Sequence, residues 1–512
     1  MRKTGFLILS CLISIIACCQ NTFPPQKIYG ELFEDVQLSG LLPTSAAFAN
    51  AEAKRNPKSI VADYLKTINN PNIRFSLKLF LEENFTLPVP VVMNGFDGPV
   101  SVESLSKEWP KLFKMSTGTS AKSSGIALPF PYVIPGGYLG QMQYEDAYFL
   151  MLGLLESGNT TMVENMVSNF SYLITQFGFI PKGNRTYFLS RSQLPYFSLM
   201  LDLLAEYQGN KVYALYQSSL QKEYDYWMDS SRNHLVEMPD GTKLNRFFDQ
   251  SDLPMDEDYA NNLKWTSGIR DQKKASAVYR NLRSADGSGW YLSSRWIDGR
   301  EPANIRTGSI VPVDLNSFIL HLEETLSKAY KERGDLVRMR YYSQLAEKRK
   351  QAIQKYFFNK EAHWYCDYDL DRKQASAKKT LAGLAPMFFE LPSKNTAKQI
   401  LEVLMRDFLR PGGLQATMEN SGFLYDAPNG FASHQYLAIE SLKIYDFTEE
   451  SETVATRWIN NNVRQLEKTG KLFGYYPVSE AGESGKSSAF NEDGYGVTLG
   501  VLIRLLKDYP VE

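Results

Sequence analysis

Pro135-Gly136-Gly137-Tyr138-Leu139-Gly140-Gln141-Met142-Gln143-Tyr144-Glu145-Asp146-Ala147-Tyr148-Phe149 is where the chain changes character. A proline and two glycines break the backbone. The double glycine lets main chain come close to a ligand, because no Cβ stands in the way. An aromatic-rich helix then begins, with the carboxylates Glu145 and Asp146 between Tyr144 and Tyr148. That mixture suits a polar, ring-shaped ligand. Residue types alone also describe a plain loop followed by a core helix, and taken by themselves they favour that simpler reading.

From about residue 141 the pattern is helical and stays so. Apolar residues recur near a 3.6 spacing over 142–156, 162–177, 192–207, 212–228, 314–331, 336–357, 378–389, 397–408, 433–445, 451–466 and 493–506. Few stretches alternate with period two, and no strand–helix–strand rhythm exists, so a parallel sheet is not expected. Between the helices lie long segments rich in Gly, Pro, Asn and charge: 232–271, 284–312, 410–431 and 474–493. Loops this long are uncommon and usually functional. They recur after helix pairs, which places them together at one end of a helical bundle or ring. No fixed repeat period of the familiar solenoids is present.

The first residues form a targeting segment. Arg2 and Lys3 precede an apolar run from Gly5 to Ala17, which is too short to span a bilayer. The run closes on Ile15-Ile16-Ala17-Cys18, which resembles a bacterial lipobox with cleavage before Cys18 and lipid on its thiol. The other reading is an ordinary signal peptide followed by an incidental cysteine. The first divides the chain into a lipoprotein signal peptide at 1–17, a tether at 18–27 and one domain at 28–512. It implies an exported protein held to a membrane by a lipid anchor.

Cysteine and histidine usage bounds the chemistry. With Cys11 lost and Cys18 acylated, no internal disulfide framework remains, and Cys366 is expected to be a buried core thiol. The four histidines, His234, His321, His363 and His434, show no metal-ligand spacing. Gly485-Lys486-Ser487 lacks the glycine a phosphate loop needs five residues earlier, where Glu480 stands, and no strand precedes it. No Gly-x-Ser-x-Gly elbow exists. The net charge of -1, with basic residues scattered rather than striped, gives no support to nucleic-acid binding. Aromatic residues make up 13% of the chain, which fits large core contacts or a sugar-stacking cleft. In Gly183 to Gln193, two arginines, an asparagine and a glutamine surround aromatics. This segment reads equally as a hydroxyl-binding loop and as a capped helix start with solvated arginines.

Four segments together are specific: GNRTYFLSRSQLP at 183–195, YRNLRSADGSGWYLSSRW at 279–296, SIVPVDLNS at 309–317 and YDAPNGFASHQ at 425–435. Through them, and over about 28–506, the chain resembles the α,α-trehalase family of glycoside hydrolases. The resemblance implies an all-α fold, an (α/α)6 toroid of helical hairpins with long loops at one end. It implies a small, disaccharide-like carbohydrate ligand and no cofactor or metal. It also implies inverting hydrolysis, in which one carboxyl protonates the glycosidic oxygen while a carboxylate activates water on the opposite face.

The departures from the family pattern decide what to expect of this chain. The general-acid aspartate that follows Ser-Gly-Trp is here Tyr291, and the general-base glutamate of the Lys-Leu-x-Glu-x-Tyr segment is Gly474. A further site glutamate falls at about Ser488. The family's Arg-Phe after Pro-Gly-Gly is Tyr138-Leu139, its Trp-Asp is Glu145-Asp146, the asparagine before Gly-Asn-Arg is Lys182, an arginine before Glu257 is Met255, and the tryptophan before Asp-Ala-Pro is Tyr425. Asp146, Arg191, Gln193 and Glu257 survive as the implied substrate-binding set.

A phenol titrating near 10 is a poor acid beside a carboxyl tuned near 6, and glycine cannot activate water. Each positioned proton-transfer group is worth about 10²–10⁴-fold, so loss of both should abolish the family chemistry. A tyrosine can act as a nucleophile in some glycosidases if a carboxylate assists it. Asp286, Glu480, Glu483 and Glu492 lie in the same loops as possible substitutes. The expectation is a trehalase-like pseudoenzyme that keeps a carbohydrate-binding cleft. The alternatives are a glycosidase of shifted specificity using relocated carboxylates, and a non-catalytic surface scaffold.

Overall fold

The computed structural model describes residues 22–93, 95–115, 122–480 and 494–510. Six helical positions form an inner ring: Tyr144–Glu156, Phe197–Gln208, Val313–Glu332, the turn Leu381–Leu384 continued by Ala385–Phe388, Ala432–Ile444 and Tyr495–Asp508. Each touches the next, and the last packs against the first, so the ring closes. Outside it lie Thr160–Phe177, Lys211–Met228, Leu336–Tyr356, Lys394–Val403 and Thr448–Thr469. The sixth outer position is filled by Val102–Ser106, which contacts both the first and the last inner helix. The expected all-α (α/α)6 toroid is therefore what the chain forms.

Burial follows this arrangement. On the first inner helix every residue from Ala147 to Leu155 is buried, whereas Thr160–Phe177 buries one stripe: Val163, Met166, Val167, Phe170, Leu173 and Ile174. An all-round apolar helix belongs in the middle of a protein, and a one-sided helix belongs on its surface. Consecutive antiparallel helices also alternate direction. The short turns at 157–159, 209–210, 333–335 and 445–447 thus share one end of the toroid. The long connections at 178–196, 229–312, 357–380 and 409–431, and the described residues 470–480, share the other.

Three local differences from the sequence expectation have physical causes. The second inner helix starts at Phe197 rather than 192, because Pro195 restricts the backbone of the residue before it. The expected helix at 378–389 shrinks to two short turns: Pro386 is tolerated only in a first helical turn, and Gly383 is pressed against Tyr365 and Trp364. The long connection at 229–312 contains an unexpected sixteen-residue helix, Gln272–Gly287. Its buried Ala275, Val278, Tyr279, Leu282 and Ala285 keep helical spacing, and Asp271 caps it by accepting from the Lys273 and Lys274 amides.

The N-terminal segment is a small cap with its own core. Tyr29, Leu32, Phe33, Phe48, Ile60, Tyr64, Leu81 and Phe85 pack together and onto Tyr259, whose ring meets Phe33 edge-on at 5.3 Å. Helix Pro25–Tyr29 opens inside the stretch read as tether, so ordered structure begins before residue 28. Cys18 lies outside the described residues. Cys366 is buried, as expected.

Candidate functional site

The opening Pro-Gly-Gly does its work against another part of the protein. Gly136 has φ +96°, and a Cβ there would drive into the Tyr495 ring. Gly137 pairs with Val91 through two backbone hydrogen bonds of 2.6 and 2.9 Å. The close approach predicted for a ligand is thus made by Tyr495, at the start of the last inner helix. The break aims the first inner helix so that Glu145 and Asp146, in its first turn, sit at the long-loop end of the ring.

Glu145 is clamped by Gln193. The Gln193 amide nitrogen donates to Glu145 Oε2 at 3.1 Å, and its oxygen accepts from the Glu145 backbone at 3.1 Å. The carboxyl lies against Gly289, at φ +76°, where a Cβ would collide with it. Burial, with Asp146 and Asp314 nearby, pushes Glu145 up to about 8 against the opposing pull of Lys182 and Arg295. Burial likewise lifts Asp146 to about 6, with Lys182 acting the other way.

Arg191, only 3% exposed, is the hub of a buried ionic network. Its Nε donates to Asp286 at 2.9 Å, its Nη2 pairs with Glu257, and Asp249 lies 3.6 Å from Nη1. Lys182 pairs with the other oxygen of Asp286 and lies 5.5 Å from the centre of the Phe188 ring. Burial alone would raise Asp286, but Lys182 and Arg191 outweigh it and hold its carboxyl below the usual range. Asp286 is therefore committed to two cations. Three of the four expected sugar contacts, Arg191, Gln193 and Glu257, are likewise committed to protein partners. Asp146 alone makes no hydrogen bond or ion pair among the described residues.

At Tyr291 and Gly474, where the family resemblance puts the acid and the base, no carboxyl stands. The Tyr291 hydroxyl donates to Asp258 Oδ2 at 2.6 Å. Asn262 Nδ2 bridges the pair, 3.1 Å from Asp258 and 3.2 Å from the phenol oxygen, and Asn261 donates to the second Asp258 oxygen at 2.7 Å. Burial raises Asp258 to about 7 against these donors, and burial with Asp258 beside it raises Tyr291 well above 10. Gly474 leads into the strand Tyr475–Pro477, which pairs antiparallel with Asn429–Phe431 ahead of the fifth inner helix. It contributes no functional group. Glu480 is exposed, and Glu483, Glu492 and Ser488 lie outside the described residues.

Aromatic rings line the same end. Trp290 stacks on His434 at 4.4 Å, and Tyr425 stacks on Phe431 at 4.6 Å, with Tyr475 a further 5.8 Å from Phe431. His434 is driven down to about 3 by burial, with Arg295 adding to it, so the ring is neutral. Asp426 accepts from Ser293 and Ser294, and Arg295 forks onto both Asp314 and Asp367 at 2.7–2.8 Å. These ties fix the loop that carries Trp290 and Tyr291. No cluster of metal-binding side chains occurs among the described residues. A cavity of about 500 Å³ between Lys211–Met228 and Leu336–Tyr356 touches none of the residues above.

Sequence reasoning placed Asp146, Arg191, Gln193, Glu257, Tyr291 and Gly474 on long-loop segments or first helical turns, and the structure gathers them at one end of the ring. It did not single out Asp258, the Lys182–Asp286 pair, Trp290 or His434. Asp258 stood within the long charge-rich segment 232–271, and nothing local marks its tyrosine partner 33 residues on.

A family model described as Trehalase matches residues 44–510. The periplasmic trehalase of Escherichia coli O8 (strain IAI1) is 38% identical over 499 residues, covering 94% of this chain and 87% of that protein. That of Shigella flexneri serotype 5b (strain 8401) gives the same figures. Among solved structures, neutral trehalase Nth1 from Saccharomyces cerevisiae superposes with a TM-score of 0.62 at 21% identity, over 80% of each chain.

Proposed function

The chain belongs to the trehalase family, and from that premise we propose that it is a carbohydrate-binding member impaired in α,α-trehalose hydrolysis. One observation carries this reading: the phenol at the acid position is tied to Asp258, and the base position is a glycine. Inversion needs both a proton donor and a water-activating carboxylate, and the loss of each costs about 10²–10⁴-fold. Asp146, close enough to Lys182 and Tyr425 to interact electrostatically and without a hydrogen bond among the described residues, is the group best placed to meet a sugar hydroxyl. Arg191, Gln193 and Glu257 shape that contact from behind. The ligand is a disaccharide-like sugar. The export signal and the lipobox-like Ala17-Cys18 support a lipoprotein outside the cytoplasm, and the periplasmic relatives fit an exported location. No helix among the described residues is long and apolar enough to cross a membrane.

The deciding experiment titrates purified protein with trehalose and a panel of disaccharides by calorimetry while measuring released monosaccharide. Binding of at least one sugar without glucose release from trehalose is expected. Turnover of trehalose at an ordinary enzymatic rate would refute the proposal, and binding to nothing would leave a scaffold. A second reading is favoured by Glu145. Its carboxyl is held protonated against Gly289, two residues from Tyr291, and could serve as a relocated acid toward another glycoside. Release of monosaccharide from a different disaccharide, abolished by Glu145→Gln, would establish that reading.

A further inference from the structure

We propose that the cleft end of the toroid is the face held against a lipid bilayer; this rests on the reading that Cys18 carries a lipid. The chain enters the described structure at the cleft rim. Phe23 O accepts from Thr186 Oγ1 at 3.0 Å, and Thr186 belongs to the loop that also carries Arg191 and Gln193. The Gln26 amide donates to Asp256 Oδ1 at 2.8 Å, one residue before Glu257, the partner of Arg191. Helix Pro25–Tyr29, with Tyr29 in the cap core, fixes this entry point.

Four residues lie between Cys18 and Phe23, and five fully extended residue steps span at most about 18 Å. The twenty-residue inner helix Val313–Glu332 is about 30 Å long at 1.5 Å per residue, so the short-turn end lies a further helix length away. A lipid on Cys18 therefore holds the rim near the headgroups and leaves the turns at 209–210 and 333–335 remote. Apolar side chains stand at the rim to meet the surface. Phe23 is 60% exposed, and Val89, 84% exposed, lies two residues before the Val91 that pairs with Gly137. The lipid chains on a lipobox cysteine already give stable attachment, and such contacts add apolar burial that favours this face. Exposure alone does not choose the face, because Leu336 and Val337 are also exposed at the turn end. The length of the tether chooses it. The consequence is a cleft that draws its sugars from the layer next to the membrane.

The test uses the full, lipidated chain in vesicles of phosphatidylethanolamine and phosphatidylglycerol doped with a nickel-chelating lipid. A nitroxide is placed at Glu419→Cys, in the cleft-end loop before Tyr425, or at Asn210→Cys, in a short turn. Both are made on Cys19→Ser, and the buried Cys366 is protected from labelling. Relaxation by nickel is expected to be roughly fivefold or more greater at 419 than at 210, given the helix-length difference in distance. Equal or reversed relaxation, with palmitate incorporated at Cys18, overturns the orientation and leaves the anchor standing. Absence of palmitate incorporation that depends on Cys18, judged against Cys18→Ala, overturns both.

Discussion

Tyr291→Phe separates a structural phenol from a chemical one. The substitution removes a hydroxyl that donates to Asp258 at 2.6 Å and keeps the ring. Asp258 retains Asn261 and Asn262 as donors, and Asn262 retains Asp258 as its acceptor, so no polar group is orphaned. The loss is then one hydrogen bond to a carboxylate, toward the low end of about 1.5–3 kcal/mol, when Asp258 is ionised, and about 0.5–1.5 kcal/mol when it is protonated. The folded pKa of Asp258 is raised to about 7 from 3.8, so the folded state loses stability as pH climbs through that interval. The Tyr291 bond favours the carboxylate and offsets part of this loss. Without it the folded pKa rises further and the loss deepens, so the variant's deficit grows as pH passes 7. With an unfolding entropy of about 2.1 cal/mol/K per residue, a chain of this length has roughly 1 kcal/mol/K in total, so the thermal midpoint should fall by about 2 °C at pH 8.5 and about 1 °C or less at pH 5.5. Sugar binding by calorimetry should be unchanged. An unaltered midpoint at both pH values would show that the Tyr291–Asp258 bond does not hold the loop. An unaltered midpoint with loss of any sugar turnover would show that the phenol acts on substrate.

Three further outcomes follow from the same contacts. Tyr291→Asp combined with Gly474→Glu should give measurable glucose release from trehalose, while either single variant stays at background, because the two roles are jointly required; release from one single variant would mean that a relocated partner is already at work. Glu223, buried and paired with the Tyr144 hydroxyl, has its carboxyl pushed up to about 8 from 4.5 by burial, so it costs stability increasingly as pH rises between those values. Glu223→Gln should therefore leave the thermal midpoint near wild type at pH 4.5 and raise it by pH 8.5, and an offset independent of pH would contradict that assignment. Gly289→Ala adds a Cβ against the Glu145 carboxyl at φ +76°, so overpacking of about 1–3 kcal/mol joins a left-handed backbone cost of about 1–2 kcal/mol. Adding Glu145→Ala should recover only the steric part in thermal unfolding, and full recovery or none would place the contact elsewhere.

The sequence by itself determined the class of fold. Helical spacing is a local property that repeats every few residues, so most of the ring helices could be read directly, and four matching segments supplied their closure into a toroid. The expectation that Tyr291 and Gly474 stand where the family's carboxyl pair would be rests on the same resemblance, read from residue identity alone. Helix Gln272–Gly287 carried a readable stripe and cap yet was not recognised, since weakly apolar alanines and a tyrosine mark its buried face. What only the tertiary structure decided is which of the remaining groups are free. Arg191, Gln193 and Glu257 look like ligand contacts in a linear string, but each holds protein partners up to 95 residues away, while Arg191 Nη1 and Glu257 Oε2 make no hydrogen bond among the described residues. Pro135-Gly136-Gly137 looked like a place for a ligand and is a place for Tyr495, more than 350 residues on. Asp146 is set apart only by elimination, once every neighbour's hydrogen bonds are assigned. Whether a buried polar group is satisfied depends on the chain that folds over it, and spacing along the sequence does not record that.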